Sequence, residues 1–303
     1  STHCISSAAS DVYKRQPDGA VAYTAPAGGE YVVTANEGDA REYDCFAEEE
    51  RVKDLDLDPT AFPDAEAIQA DESLGRLTVT TTSPRSDEGY TELHSFGGRS
   101  VSILGADGSQ VWDSGDALEQ LVAERDPEHF NSGHDDNDSF DSRSDAKGPE
   151  PEGLDIGAIG GSSYAFVGLE RDSGIAVVDV TDPTGAEIVG YAKNRDFSGD
   201  PEAGTAGDLG PEGVHFIPAV DSPTGEPLLL VGNEVSGTTT IWQVDAPGAL
   251  PEPTQPTDPT DEPTDPTDEP TDDSTDEPTS RPTDDGDDTD EPVRGPVVET
   301  DLL

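Results

Sequence analysis

The chain has 303 residues, 68 of them acidic and 16 basic, giving a net charge of -52. Such a charge repels nucleic acid and anionic membrane alike and favours cationic partners. No segment reaches the roughly 18 apolar residues that a membrane-spanning helix needs.

Residues 1–16, STHCISSAASDVYKRQ, share neither composition nor pattern with the rest of the chain. They lack the apolar stretch of a signal peptide and resemble a translated sequencing-adapter read-through, so they are set apart from the fold. That removes Cys4 and leaves Cys45 alone, so no intrachain disulfide is expected. Cys45 reads as a packed side chain rather than a nucleophile.

From Pro17 to about Asp245 short β-rich runs alternate with Gly, Pro, Asn and Asp clusters, the pattern of an all-β domain. A short helical turn is expected over residues 63–71. Residues 115–125, GDALEQLVAER, predict one helix with Asp116 as N-cap and Leu118, Leu121 and Val122 on its apolar face. Two later segments overlay. PEGLDIGAIGGSSYAFVGLERDSGIAVVDV begins at Pro151, and PEGVHFIPAVDSPTGEPLLLVGNEVSGTTTIWQV begins at Pro211. Each reads Pro-Glu-Gly, strand, turn, an apolar strand ending in a Glu (Glu170 or Glu234), tight turn, strand. YVVTANEGDA repeats the strand-then-acid element at Glu37. Repeats of this length predict β-propeller blades: about four blades, residues 17–249, of a longer, seven-bladed domain. In that architecture the three acids point at one channel mouth. The alternative is that each Glu merely ends a strand beside a turn.

Residues 250–303 change to a Pro-Thr-Asp-Glu repeat without the apolar residues for a core, which predicts an extended spacer whose threonines offer glycan sites. Without residues 251–303 the remainder still holds 49 acidic and 14 basic side chains, so the acidity belongs to the folded part too. It reads either as solvated acidic surface or as divalent-cation binding.

The central loop from His129 to Gly153, HFNSGHDDNDSFDSRSDAKGPEPEG, concentrates polar chemistry between strand-like regions. It fails the EF-hand pattern, because Phe140 stands where the turn glycine belongs and Ala146 where the bidentate Glu belongs. An irregular calcium site remains open to Glu37, Asp39, Asp135, Asn137, Asp141, Asp145, Glu150, Glu152, Glu170, Glu212 and Glu234. The competing reading is an ordered loop of Asx turns with no metal. Arg41, Arg99, Arg143, Lys147 and Arg171 are candidates for binding phosphate or another anion, or else for structural pairing with these acids. His134, Glu152 and Glu212 are the candidate catalytic groups, with His134 as proton carrier. Asp113-Ser114-Gly115 reads as a cap and turn, and Trp112 and Trp242 as packing residues. No HExxH, GxSxG, Walker loop or Cys/His cluster is present.

Five stretches, YVVTANEGDAREYDCFAEEERV, LHSFGGRSVSI, FNSGHDDNDSFDSRSDAKGPEPEG, AFVGLERDSGIAVVD and LLLVGNEVSGT, together resemble the choice-of-anchor I family over about residues 17–245. The resemblance implies a propeller-like domain displayed outside the cell, secreted onto a bacterial surface and held at the cell wall or membrane by a C-terminal anchor not contained in this sequence. The family includes proteins labelled mesenchyme-specific cell surface glycoprotein and some labelled alkaline phosphatase. The expected function is a surface binding module with calcium-stabilised acidic loops and an unknown surface ligand. The alternative is a calcium-dependent phosphoesterase, phytase-like by analogy, acting on a phosphorylated small molecule at the channel mouth.

Overall fold

The computed structural model describes residues 17–245 and the backbone of residues 301–302. The expectations for residues 1–16, Cys4 and most of the spacer lie outside those residues. Among the described residues no helix is long and apolar enough to cross a membrane.

The chain begins with a hairpin of β1 (Gly19–Thr24) and β2 (Glu30–Asn36). Gly28 and Gly29, at φ of 92° and 105°, supply the left-handed turn that joins them. Residues 37–99 then leave the sheet. They form β3 (Glu42–Tyr43), β4 (Phe46–Ala47), β5 (Glu49–Arg51), α1 (Ala65–Ile68) and β6 (Thr78–Thr80), around a small core of Val52, Leu55, Val79 and Tyr90. The chain returns as β7 (Ser100–Gly105) and β8 (Gln110–Asp113), completing a first four-stranded antiparallel sheet in the order β1-β2-β7-β8. Next comes α2 (Ala117–Arg125), which buries Leu118, Leu121 and Val122 as its spacing predicts. Asp116 sits at its N-terminus without a side-chain capping bond, because its φ and ψ of -91° and 12° are not the extended cap conformation.

The second sheet is a meander of β9 (Pro151–Ile159), β10 (Ser162–Leu169), β11 (Gly174–Asp179) and β12 (Glu187–Lys193). The third is built from β13 (Pro211–Ile217), β14 (Leu228–Asn233) and β15 (Thr238–Val244), with the two-residue β16 (Asp301–Leu302) parallel to β15. The described residues thus hold three four-stranded sheets. The expected count of about four is not met, because residues 37–99 are an insertion between two strands of the first sheet.

Alternation along the strands places apolar residues between successive sheets. Val33, Ala35, Val101 and Ile103 meet Leu154, Ala165, Val167 and Val178 in one core. Phe166, Val177, Phe216, Leu229 and Trp242 form the next, with Phe166 and Phe216 stacked at 5.5 Å between centroids. Trp112 packs at the edge of the first core, so both tryptophans are packing residues. Cys45 is a correction: it is exposed in the β3–β4 turn, where a two-residue hairpin offers nothing to pack against. Asp113-Ser114-Gly115 is a turn, in which the Gly115 N–H donates to Asp113 Oδ1 at 2.9 Å and the Val101 N–H donates to Ser114 Oγ at 2.9 Å.

The first strands of successive sheets approach one another closely at Gly19 and Gly153, each of which follows an acid. A Cβ on Gly19 would lie 2.5 Å from the Glu152 carbonyl oxygen, and one on Gly153 would overlap the Glu212 carbonyl oxygen. This contact brings the starts of β1, β9 and β13 together.

Candidate functional site

Two sets of acids occupy equivalent positions in the three sheets. Asp18, Glu152 and Glu212 stand at the start of β1, β9 and β13; Glu37, Glu170 and Glu234 follow the ends of β2, β10 and β14. The second set is fixed by backbone pairing. The Glu170 N–H donates to the Glu150 carbonyl at 2.9 Å and the Glu234 N–H to the Gly210 carbonyl at 2.8 Å, each acceptor being the residue before Pro151 or Pro211. Glu37, Glu150 and Glu170 bring carboxylate oxygens within 4.8 Å of one another, as do His134, Glu170 and Glu234 with their ligand atoms. Glu170 belongs to both groups, so Glu37, Glu150, Glu170, Glu234 and His134 form one continuous cluster.

Glu150 is its buried centre, with no exposed surface and a left-handed backbone at φ 52°. In the third sheet the same position is Gly210, at φ 70°. The fold accepts strain of about 1–3 kcal/mol at Glu150 that a glycine avoids. Its carboxylate meets Arg143, Arg171 Nε at 3.1 Å and Lys147 Nζ at 3.5 Å. Burial opposes its ionisation, but these three cations hold its pKa down at about 2. Lys147 also meets Glu37 at 2.7 Å and Asp39 at 3.3 Å. Burial works against the ammonium, yet Glu150, Glu37 and Asp39 outweigh it and keep its pKa above the ordinary lysine value. Glu37 is pushed up to about 7 by burial, aided by Glu150 and Asp39, against the pull of Lys147.

His134 is buried between Glu170 and Arg171. Its Nδ1 lies 3.0 Å from Glu170 Oε1 and its Nε2 2.6 Å from Arg171 Nη1, which fits an Nδ1–H donating to the carboxylate and Nε2 accepting from the guanidinium. Both ring nitrogens therefore have protein partners.

Glu152 is different. Burial first, then the charges of Glu170, Glu37, Asp18 and Glu212, push its pKa up to about 8, and its Oε2 is buried without a hydrogen-bond partner. Glu212 is also raised, by burial and by Glu234 and Asp18. A raised carboxyl favours the protonated fold, so its stability contribution is full below the ordinary value of 4.5 and is lost as pH rises through about 8. Thermal unfolding without divalent cations is expected to show a lower Tm at alkaline than at mildly acidic pH. Glu152→Gln, which cannot ionise, flattens that difference; an unchanged slope in the variant would assign it elsewhere.

The central loop contributes His134, Glu150 and Glu152 to this site, while Asp135, Asn137, Asp141 and Asp145 stand outside the clustered groups. Asn137 donates to the Phe197 and Gly199 carbonyls and accepts from Arg195 at 3.0 Å. Asp141 accepts from the Ser144 hydroxyl, Asp145 pairs with Arg51 at 3.0 Å and Arg76 at 2.6 Å, and Asp135 is exposed. Asn137, Asp141 and Asp145 thus bond to neighbouring parts of the chain. Arg99 clamps the central loop, donating to the Ser144 and Ala146 carbonyls and pairing with Glu119 at 3.0 Å. Arg41 pairs with Glu48 at 2.9 Å, beside a polar cleft of about 490 Å³ that Asp39, Arg51, Arg143 and Lys147 also line. Sequence reasoning missed Arg195, which is buried, donates to the Gly133 carbonyl at 2.8 Å and lies over the Phe197 ring. Only its position as a cation in an acidic stretch, next to an aromatic two residues on, hinted at it. Asp18 was missed because Pro17-Asp18-Gly19 carries Asp where the other copies carry Glu.

The choice-of-anchor I domain matches residues 9–183. The chain belongs to the choice-of-anchor I family. The family match begins inside the segment set apart on composition and ends after β11, so it covers the first sheet and most of the second. Among curated relatives, gigasin-3a of Magallana gigas is 34% identical over 194 residues, 59% of this chain and 67% of that protein. The mesenchyme-specific cell surface glycoprotein of Strongylocentrotus purpuratus is 30% identical over 204 residues, 54% of this chain. The chain spans a quarter, 25%, of that second relative. No solved structure matches. In this family member the acids at the sheet starts and at the second-strand ends share one end of the fold.

Proposed function

We propose that the chain is part of an extracellular, surface-displayed β-propeller interaction module whose acidic channel mouth takes calcium. Membership of the choice-of-anchor I family and similarity to a protein named as a cell surface glycoprotein support the location. Three four-stranded sheets that meet through their first strands support the propeller reading. The observation that carries the site is the imbalance at the mouth. Among the described residues Glu152, Glu212 and Glu234 have no Lys or Arg ion-pair partner, while Glu37, Glu150 and Glu170 do. Calcium takes six to eight oxygen ligands, and crowded carboxylates with raised pKa values gain most from a divalent cation. Its bound charge leaves coordination sites for an anionic group of a surface partner.

The alternative, a calcium-dependent phosphoesterase, is the weaker reading. Arg41, Arg99, Arg143, Lys147 and Arg171 each face a carboxylate or carbonyl of the chain itself, and both nitrogens of His134 are held.

Calcium titration of the 303-residue chain, read by thermal unfolding and calorimetry, tests the proposal. Expected are a rise in stability of about 2.7 kcal/mol at a hundredfold excess over Kd, tighter binding as pH rises through about 8, and proton release on binding. Glu152→Gln weakens all three. Absence of a calcium response sinks the metal proposal, and chelator-sensitive phosphate release from a simple phosphomonoester would replace the binding reading with the phosphoesterase.

A further inference from the structure

The cleft of about 490 Å³ lies between the insertion of residues 37–99 and the central loop, which lends it Arg143, Ala146 and Lys147. Its acids are Asp39, Glu42, Glu48 and Glu49. Its cations are Arg41, Arg51, Arg143 and Lys147. Four charges of each sign therefore cancel here, in a chain that carries -52 overall. Small-molecule pockets usually owe most of their lining to apolar side chains. Among the described residues the apolar lining of this one is Ala40, Ala47 and Ala146 alone.

The charged groups are held in place before any ligand arrives. Arg41 forks onto Glu48, with Nε 2.9 Å from Oε2 and Nη2 3.2 Å from Oε1. Glu48 is buried and also accepts from the Thr80 hydroxyl at 2.8 Å. Arg51 is pinned by Asp145 at 3.0 Å and Lys147 by Glu37 at 2.7 Å. A charged ligand would have to displace one of these internal partners, whereas a neutral hydroxyl does not. A hydroxyl both donates and accepts, a carboxylate only accepts, and a guanidinium or ammonium only donates. A hydroxyl lodged between two such groups is satisfied on both sides with the ion pairs intact. Asp39, Glu42 and Glu49 add solvent-exposed acceptors to the lining.

We propose that this cleft binds a neutral, hydroxyl-rich ligand, a short saccharide, through interleaved carboxylates and cations. Its volume falls within the roughly 300–1,000 Å³ of small-molecule sites. The inference goes beyond the calcium reading and does not depend on it, because Glu152, Glu212 and Glu234 do not line the cleft. Glu42 and Ala47 are register partners across β3 and β4, so they share the face that lines it.

Calorimetry and saturation-transfer NMR on the 303-residue chain test this, with glucose, galactose, mannose, N-acetylglucosamine, lactose and cellobiose as probes. At least one is expected to bind, equally well with calcium or with chelator. Its Kd should not change between about 50 and about 500 mM salt, since screening acts on charged ligands. Glu49→Ala is expected to weaken binding about tenfold, the loss of one hydrogen bond to a charged acceptor. Ala47→Trp should abolish it by filling the cleft. Both positions are exposed, so both variants should unfold with wild type and keep its calcium response, which tests the calcium reading separately. Binding of none of these sugars overturns the proposal, as does an Ala47→Trp variant that binds them like wild type. Salt-sensitive binding of inorganic phosphate or sulfate in their place would make the cleft an anion site and overturn it too.

Discussion

Glu150→Gln is expected to lower stability by about 3–5 kcal/mol, the cost of removing one partner from a buried ion cluster. The shape is kept and the charge is lost, so Arg143, Lys147 and Arg171 are left around a neutral group with no exposed surface. Glu150→Gly separates two effects at the same position. It relieves the left-handed backbone, as Gly210 does in the third sheet, and so recovers about 1 kcal/mol of strain. It still orphans the three cations. Denaturant unfolding is expected to rank wild type well above both variants. If Glu150→Gly equalled wild type, the cluster would add no more than the roughly 1 kcal/mol of strain that Glu150 costs.

The repeat that organises this cluster was legible in the sequence, and its consequences only partly so. Pro151-Glu152-Gly153 and Pro211-Glu212-Gly213 gave the first strands of two sheets in register, and Glu37, Glu170 and Glu234 gave the convergent acids. The all-β class followed from the same alternation. The number of sheets did not, because residues 37–99 carry short strands of their own and their pattern looks the same whether they build a sheet or interrupt one. Four residues of the central loop stand apart for a different reason. Asp135, Asn137, Asp141 and Asp145 have the composition of a calcium loop, but composition does not say whether an oxygen points at a shared centre or at its own backbone and a nearby arginine. Of the candidate cations, Arg143, Lys147 and Arg171 stand at the clustered acids, while Arg41 and Arg99 pair with Glu48 and Glu119. Lys147 reaches Glu37 across 110 positions of chain, a contact fixed by tertiary packing and invisible to spacing.

Gly153→Ala is expected to be the more damaging of two identical substitutions at equivalent positions, costing about 3 kcal/mol or more, at the upper end of what overpacking costs. The added methyl meets the Glu212 carbonyl, which is backbone at the irregular start of β13 and has no rotamer to yield. Gly213→Ala adds the same methyl into open space and is expected to be neutral. Neither glycine has a left-handed backbone, so propensity does not separate them; only the neighbouring strand does. Equilibrium unfolding of the pair therefore measures how firmly β9 is held against β13. That contact sets the spacing of Glu152 from Glu212, so Gly153→Ala should also weaken calcium binding. Equal stability of the two variants would mean that the strands part by a few tenths of an ångström at little cost, and the acids of the mouth would then be free to spread rather than held close enough to raise one another's pKa.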